Sequence, residues 1–106
     1  SIHTPHNNAT NNMVDINVLK SMKKSAYIIN TARGGIINEK DLKHALKNNL
    51  IAGGAIDAYV EEPPTDNEFL KLPNLICTPH TGGNAKEAVE AMGMSAIEHL
   101  KRFYNL

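Results

Sequence analysis

Cysteine is almost missing: Cys77 stands alone among 106 residues. A single thiol forms no internal disulfide framework and no cysteine-based zinc cluster. Net charge is missing too, since eleven Lys and Arg balance eleven Asp and Glu. Duplex nucleic acid draws its affinity from cations set against phosphates, so a neutral chain argues against such a partner. No basic stretch offers itself to an anionic membrane surface. No apolar run approaches the ~18 residues of a membrane span, and no charged-then-apolar leader stands at the start. The expectation is a soluble cytoplasmic protein without nucleic-acid or membrane partners.

What is present reads as globular, with 42% apolar and 21% charged residues in 11.6 kDa. That is one domain's worth of chain or less. Ser1-Ile2-His3-Thr4-Pro5 resembles the last residues of a strand begun upstream, and the chain closes within a long amphipathic pattern. The expectation is a fragment of a larger protein.

Residues 6–12 hold four Asn and read as a polar loop, because Asn competes with regular backbone pairing and tolerates left-handed conformations. Ile16, Leu19 and Met22 recur at spacing three, with Asp15 at the start, so a short helix is predicted over about 15–22. Ala26 to Asn30 is a compact apolar run with β-branched residues, a buried strand, followed by a loop around Arg33-Gly34-Gly35. Leu42, Ala45 and Leu46 mark a second helix from about Asn38 to Lys47. Ile51 to Ala58 is the next apolar run, where Gly53 and Gly54 indicate close approach of backbone or cofactor. Pro63, Pro64 and Pro73 make residues 59–73 a loop with one helical turn at 66–71. Leu75 to Thr78 is a third short strand, broken by Pro79-His80-Thr81-Gly82-Gly83. The last helix carries Ala85, Ala88, Val89, Met92, Ala96, Leu100 and Phe103 at helical spacing, with Glu early and Lys101 and Arg102 late, matching the helix dipole.

Strands apolar throughout are expected to be buried on both faces, as in a parallel sheet covered by helices. Alternation of strand and helix gives the same α/β class. Ligands of such sheets bind outside the carboxyl ends of the strands. The residues following those ends are Asn30 to Gly35, then Asp57 with Glu61 and Glu62, then Pro79-His80. One Arg, one or two carboxylates and one His therefore converge on one edge.

These side chains suit work on a small carboxylate-bearing substrate. Arg33 is a rigid fork of donors able to grip a carboxylate and polarise a neighbouring carbonyl. Histidine titrates near neutrality, so His80 can carry a proton to or from a hydroxyl, and a carboxylate beside it favours the imidazolium. Duller readings stand beside each. Arg33 can be a surface charge, Asp57 a turn cap, Glu62 a solvated loop charge and His80 a satisfied turn histidine, but four bland residues do not predict a shared edge. His3 and His6 stand three apart without a third ligand, so no metal is expected. His44 and His99 fall on helix faces. Cys77 reads as buried core, and Met92 and Met94 as core filler.

Asn30-Thr31-Ala32-Arg33-Gly34-Gly35, Gly54-Ala55-Ile56-Asp57-Ala58-Tyr59, Glu62-Pro63, Leu72-Pro73-Asn74 and Thr78-Pro79-His80 with Gly82 and Glu87-Ala88 resemble the D-isomer-specific 2-hydroxyacid dehydrogenases. The phosphoglycerate dehydrogenase-like branch is the nearest, and the resemblance runs from His3-Thr4-Pro5 to the last helix. It implies the second half of a doubly wound (Rossmann) NAD-binding domain, in an enzyme that moves a hydride between NAD(H) and a 2-hydroxy or 2-keto acid. It further implies that Arg33 binds substrate carboxylate and keto oxygen, that His80 is the general acid/base and that Glu62 is its partner. Asp57 would hydrogen-bond the nicotinamide carboxamide, and His3, Thr4 and Pro5 would line the adenosine side. Thr31 and Ala32 would pass the nicotinamide by their backbone, with Gly82 also near the cofactor. The family is usually dimeric.

Departures accompany the likeness. The glycine-rich pyrophosphate loop, the acidic residue for the ribose and the substrate domain do not occur in these residues, so the piece alone is expected to be inactive. Asn7 and Ala85 stand where the family commonly has Thr, and Asn84 is the alternative cap for the last helix. Two rival readings are a non-enzymatic NAD-sensing scaffold on the same fold, of the corepressor kind, and a free-standing α/β binding module.

Overall fold

The computed structural model describes residues 1–106, in the order α1 (Ile16–Ser21), β1 (Tyr27–Asn30), α2 (Glu39–Lys47), β2 (Gly53–Ile56), α3 (Asn67–Leu70), β3 (Leu75–Cys77) and α4 (Lys86–Tyr104). Each of the first three helices begins where a short polar side chain satisfies orphan backbone donors. Asp15 accepts from Asn17 N and Val18 N, Asn38 from Asp41 N, and Asp66 from Phe69 N. Asp41 of α2 reaches back to accept Ile16 N at 2.9 Å, which fixes the start of α1 against α2.

All three strands are parallel, in the order β1-β2-β3, with Ile28 opposite Gly54 and Ile56 opposite Cys77. Ile2 adds an isolated parallel bridge to Asn30. Gly53 is required by close approach: a Cβ there would sit 2.8 Å from Asn74 O and 3.1 Å from the Tyr27 ring. Between the two options left by sequence, backbone is what comes close at this glycine.

The core lies on one side of the sheet. Leu19 of α1, Leu42, Ala45 and Leu46 of α2, and Phe69 of α3 pack with Ile28, Ile56 and Leu75. The other face is open, contrary to the expectation of strands covered on both sides. Tyr27 is 70% exposed and Ile76 67%, and Ile29 is exposed beside them. The reason is geometric: α1 and α2 lie on the same face, and α4, which follows β3, does not return to the sheet.

No residue of α4 is buried, so Met92 and Met94 are exposed and do not fill a core. Asn84 does not cap this helix either. Ala85 holds the cap position without a side-chain bond, while the Asn84 N–H closes a turn onto Thr81 O. Cys77 is half-buried against the core, and burial pushes its thiol pKa up, as an unreactive thiol requires. His44 and His99 are exposed. No helix is long and apolar enough to cross a membrane.

Candidate active site

Because the three strands run parallel, their carboxyl ends share one edge, and the loops leaving that edge carry every chemically useful group named above. Asn30 is the last residue of β1, fully buried, and its side chain shapes the first loop. Its Nδ2 donates to Arg33 O at 2.9 Å and its Oδ1 accepts from Ala32 N at 3.0 Å. The loop thus turns back on itself and sends the Arg33 side chain outward. Arg33 Nη1 donates to Ala32 O at 2.7 Å, which leaves the rest of its fork unpaired. Thr31 is exposed between Asn30 and this loop.

Ala32 and Arg33 form a hollow of about 570 Å³ with His3, Thr4, Pro5 and His6. Three nitrogenous basic side chains and no carboxylate line it, a composition that suits an anionic ligand. His6, to which no role falls from sequence, packs its ring against Gly35 and pairs with Asn11 Oδ1 at 3.0 Å.

Asp57 follows β2 and is buried. Its Oδ1 accepts from Thr78 Oγ1 at 2.6 Å and Thr81 N at 2.8 Å, and its Oδ2 accepts from Gly82 N at 2.9 Å. The Thr78 hydroxyl contributes most to holding its carboxyl below the usual carboxylate range, against the opposing effect of burial. The carboxylate therefore ties the end of β2 to the turn after β3. A carboxylate oxygen accepts two bonds, so Oδ2 retains one acceptor position.

That turn carries His80, whose φ of +54° is in the left-handed region. An L-residue there costs about 1–2 kcal/mol, and Asp57's bonds to the next two amides hold the turn in place. His80 Nδ1 lies 2.7 Å from Glu62 Oε2 and 2.9 Å from Oε1. Glu62 itself is oriented by the Tyr59 N–H, which donates to Oε1 at 3.0 Å. The His80 contact, and after it the Tyr59 amide, lowers the Glu62 pKa. Tyr59, a buried residue without a role in the sequence reading, donates its hydroxyl to Thr78 O at 2.8 Å and so braces the strand end that presents His80. Burial raises its phenol pKa, so it remains a donor.

The predicted set is thus only partly joined. Glu62 and His80 meet directly, flanking a smaller cleft of about 210 Å³ with Tyr59, Pro63, Pro64 and Pro79. Asp57 and Gly82 meet directly behind them. Arg33 makes no hydrogen bond or ion pair with Glu62 or His80 and lines the neighbouring hollow with His3, Thr4 and Pro5. Asn30, Tyr59 and Thr78 stand in the motifs quoted from the sequence without a role of their own, because residue type alone does not reveal the hydrogen bonds that they make here. Their place in those motifs, close to Arg33, Asp57 and His80, is the sequence signal.

The family profile for the D-isomer specific 2-hydroxyacid dehydrogenase, NAD binding domain, matches residues 1–82. The chain belongs to that family. Glycerate dehydrogenase of Methylorubrum extorquens is 41% identical over 106 residues, covering 97% of the chain and 34% of that protein. D-3-phosphoglycerate dehydrogenase of Methanocaldococcus jannaschii is 42% identical over 102 residues, covering 96% of the chain and 20% of that protein. Among solved structures, NAD-dependent formate dehydrogenase from Staphylococcus aureus in complex with NAD superimposes with a TM-score of 0.86 at 36% identity, over 98% of the chain and 32% of that protein. The chain therefore spans a fifth to a third of the length of these relatives. The matched region takes in β1 to β3 and the loops with Arg33, Asp57, Glu62 and His80, while α4 lies beyond it.

The residues present fit one side of a dinucleotide. The hollow beside His3, Thr4 and Pro5 is roomy enough for part of such a ligand, and Asp57 Oδ2 keeps an acceptor position for an N–H donor.

Proposed function

We propose that residues 1–106 form the carboxyl-terminal portion of the NAD-binding domain of an NAD-dependent D-2-hydroxyacid dehydrogenase of the phosphoglycerate dehydrogenase-like kind. The observation that carries this is the His80–Glu62 pair, 2.7 Å apart, on the same sheet edge as a free arginine fork. Family membership and the names of the relatives support the reading.

The roles follow from atoms. A carboxylate only accepts, so the pairing with Glu62 puts a proton on His80 Nδ1 and leaves Nε2 as the working nitrogen. In the oxidative direction Nε2 takes the hydroxyl proton, and the resulting imidazolium is stabilised by Glu62. In the reductive direction the imidazolium returns that proton to the carbonyl oxygen. Arg33 grips the substrate carboxylate with the donors not committed to Ala32 O and sets the 2-carbon in place. Bound NAD would supply the hydride acceptor. Asp57, His3, Thr4, Pro5, Thr31, Ala32 and Gly82 are assigned to holding it, with Asp57 accepting from the carboxamide and the segment from His3 to Pro5 lining the adenosine side. The reading extends to a homodimer, supported by family resemblance, and to the cytoplasm, supported by the lone cysteine of the composition.

The test is NADH-dependent reduction of a panel of 2-keto acids by the intact natural gene product. Arg33→Ala and His80→Ala are each expected to lower kcat/KM by about 10²–10⁴-fold with NADH binding retained. Near-parental turnover in either variant overturns its role. NADH binding without turnover of any keto acid points instead to a cofactor-sensing scaffold. Intact mass of the gene product checks the fragment reading, which a natural species of 11.6 kDa would refute.

A further inference from the structure

Glu39 opens α2 and has no part in the roles above, yet its carboxylate is aimed at the loop that carries Glu62. Its Oε1 accepts the Val60 N–H at 2.7 Å, across 21 residues of chain. An acidic residue in the first turn of a helix ordinarily serves that helix's own free amides. Here Asn38 already caps α2 through Asp41 N, and the Glu39 side chain turns away to another loop.

Burial holds little of that loop. Val60 is 67% exposed, and Glu61, Glu62 and Pro63 are exposed as well, so burial anchors it only at Tyr59. On its inner side the loop lies against Gly34. A Cβ at Gly34 would come within 2.0 Å of Tyr59 C and O and 2.4 Å of Val60 N, so only a glycine lets the Arg33 loop pass there. The Tyr59–Val60 peptide is therefore held between the Arg33-Gly34 turn and the head of α2. From Tyr59 the order passes on, because its N–H aligns Glu62 and Glu62 aligns His80.

We propose that Glu39 is a positioning residue of the dehydrogenase site: its bond to Val60 N–H fixes the Tyr59–Glu62 loop and thereby sets the His80 imidazole in register with Arg33. The inference deepens the functional reading above and rests on it. Arg33 and His80 do not touch, so their mutual placement depends on a connection of this kind. A misplacement of about 1 Å between reacting groups can cost on the order of 10²-fold in rate.

Three variants in the intact protein test it, with steady-state kinetics on the best keto acid and the 15N–1H signal of His80 Nδ1 as readouts. Glu39→Ala removes the acceptor and is expected to lower kcat by about 10-fold or more, leave the KM for NADH unchanged and shift or broaden the Nδ1 signal. Glu39→Gln keeps a carbonyl oxygen at the same reach and is expected to restore kcat to within about threefold together with the parental signal. Glu39→Asp draws the acceptor back and stays readable if the alanine variant does not fold. It is expected to show a smaller loss of the same kind. Parental kcat and Nδ1 signal in Glu39→Ala or Glu39→Asp overturn the proposal, as does a Gln variant as impaired as the Ala variant. Arg33→Ala and His80→Ala run beside them separate the two levels. If those two retain turnover, the dehydrogenase reading fails; if they lose it while the Glu39 variants are silent, only the role of Glu39 fails.

Discussion

Helices α2 and α4 both carry apolar residues at helical spacing, yet Leu42, Ala45 and Leu46 of α2 are essentially fully buried while α4 buries nothing. Both have acidic residues in the first turn and basic residues in the last. The difference lies in what each helix packs against within residues 1–106. α2 leads into β2, which pairs with β1, so the helix must lie back along the sheet as a parallel crossover. α4 follows β3 and buries none of its residues against that sheet. Hydrophobic periodicity thus marks a face that can be buried, and topology decides whether anything meets it.

The largest expected effect on stability tests the packed half of this contrast. Leu42→Ala removes a completely buried side chain from between α2 and the sheet and should cost about 2–5 kcal/mol in urea denaturation of the chain. A loss below about 1 kcal/mol would mean that the site collapses around the gap, and that α2 is not the rigid cover it looks.

The same contrast explains how far the sequence could be read. Asp15, Asn38 and the apolar spacings locate α1 and α2 because capping and one-sided burial are local properties of the chain. Apolar β1 and β3 suggested double burial because a run such as Tyr27-Ile28-Ile29 does not say which face has a cover. Met92 looked like core for the same reason. At the site, Arg33, Asp57, Glu62 and His80 were legible from their residue types at successive strand ends. The roles of Asn30, Tyr59, Thr78 and Glu39 were not, since the last three act by hydrogen bonds to distant segments and Asn30 by a side-chain turn within its own loop, and each has an innocent local reading.

Two carboxylates on the site edge sharpen the contrast at smaller scale. Asp57 is buried and bound by three donors from the turn after β3, while the Glu62 side chain is 39% exposed and faces His80. Asp57→Ala would leave the Thr81 and Gly82 amides and the Thr78 hydroxyl without their acceptor, with an expected cost of about 1–3 kcal/mol. Its pH dependence has a definite sign. The folded-state pKa of Asp57 is depressed, so its stabilisation is present above the unfolded carboxylate pKa and fades as pH falls through the lower folded value. Urea midpoints should therefore drop below about pH 4 in the parent, and less steeply in Asp57→Ala. Equal acid sensitivity in both would remove Asp57 as the cause. Glu62 shifts the same way, but its exposure to solvent screens the effect and makes its share smaller.

The smallest effect belongs to α4. Leu100 is 58% exposed, so replacing it by Ala removes little that folding took out of water. Alanine is also the better helix former, which offsets part of any loss. Leu100→Ala should therefore change the stability of the chain by no more than about 0.5 kcal/mol, against several for Leu42→Ala. The comparison breaks if Leu100→Ala costs as much as a core substitution in the intact protein. That result would mean the apolar face of α4 is covered there, and that the helix belongs to a second packed unit, not to the layer formed by α1, α2 and the sheet.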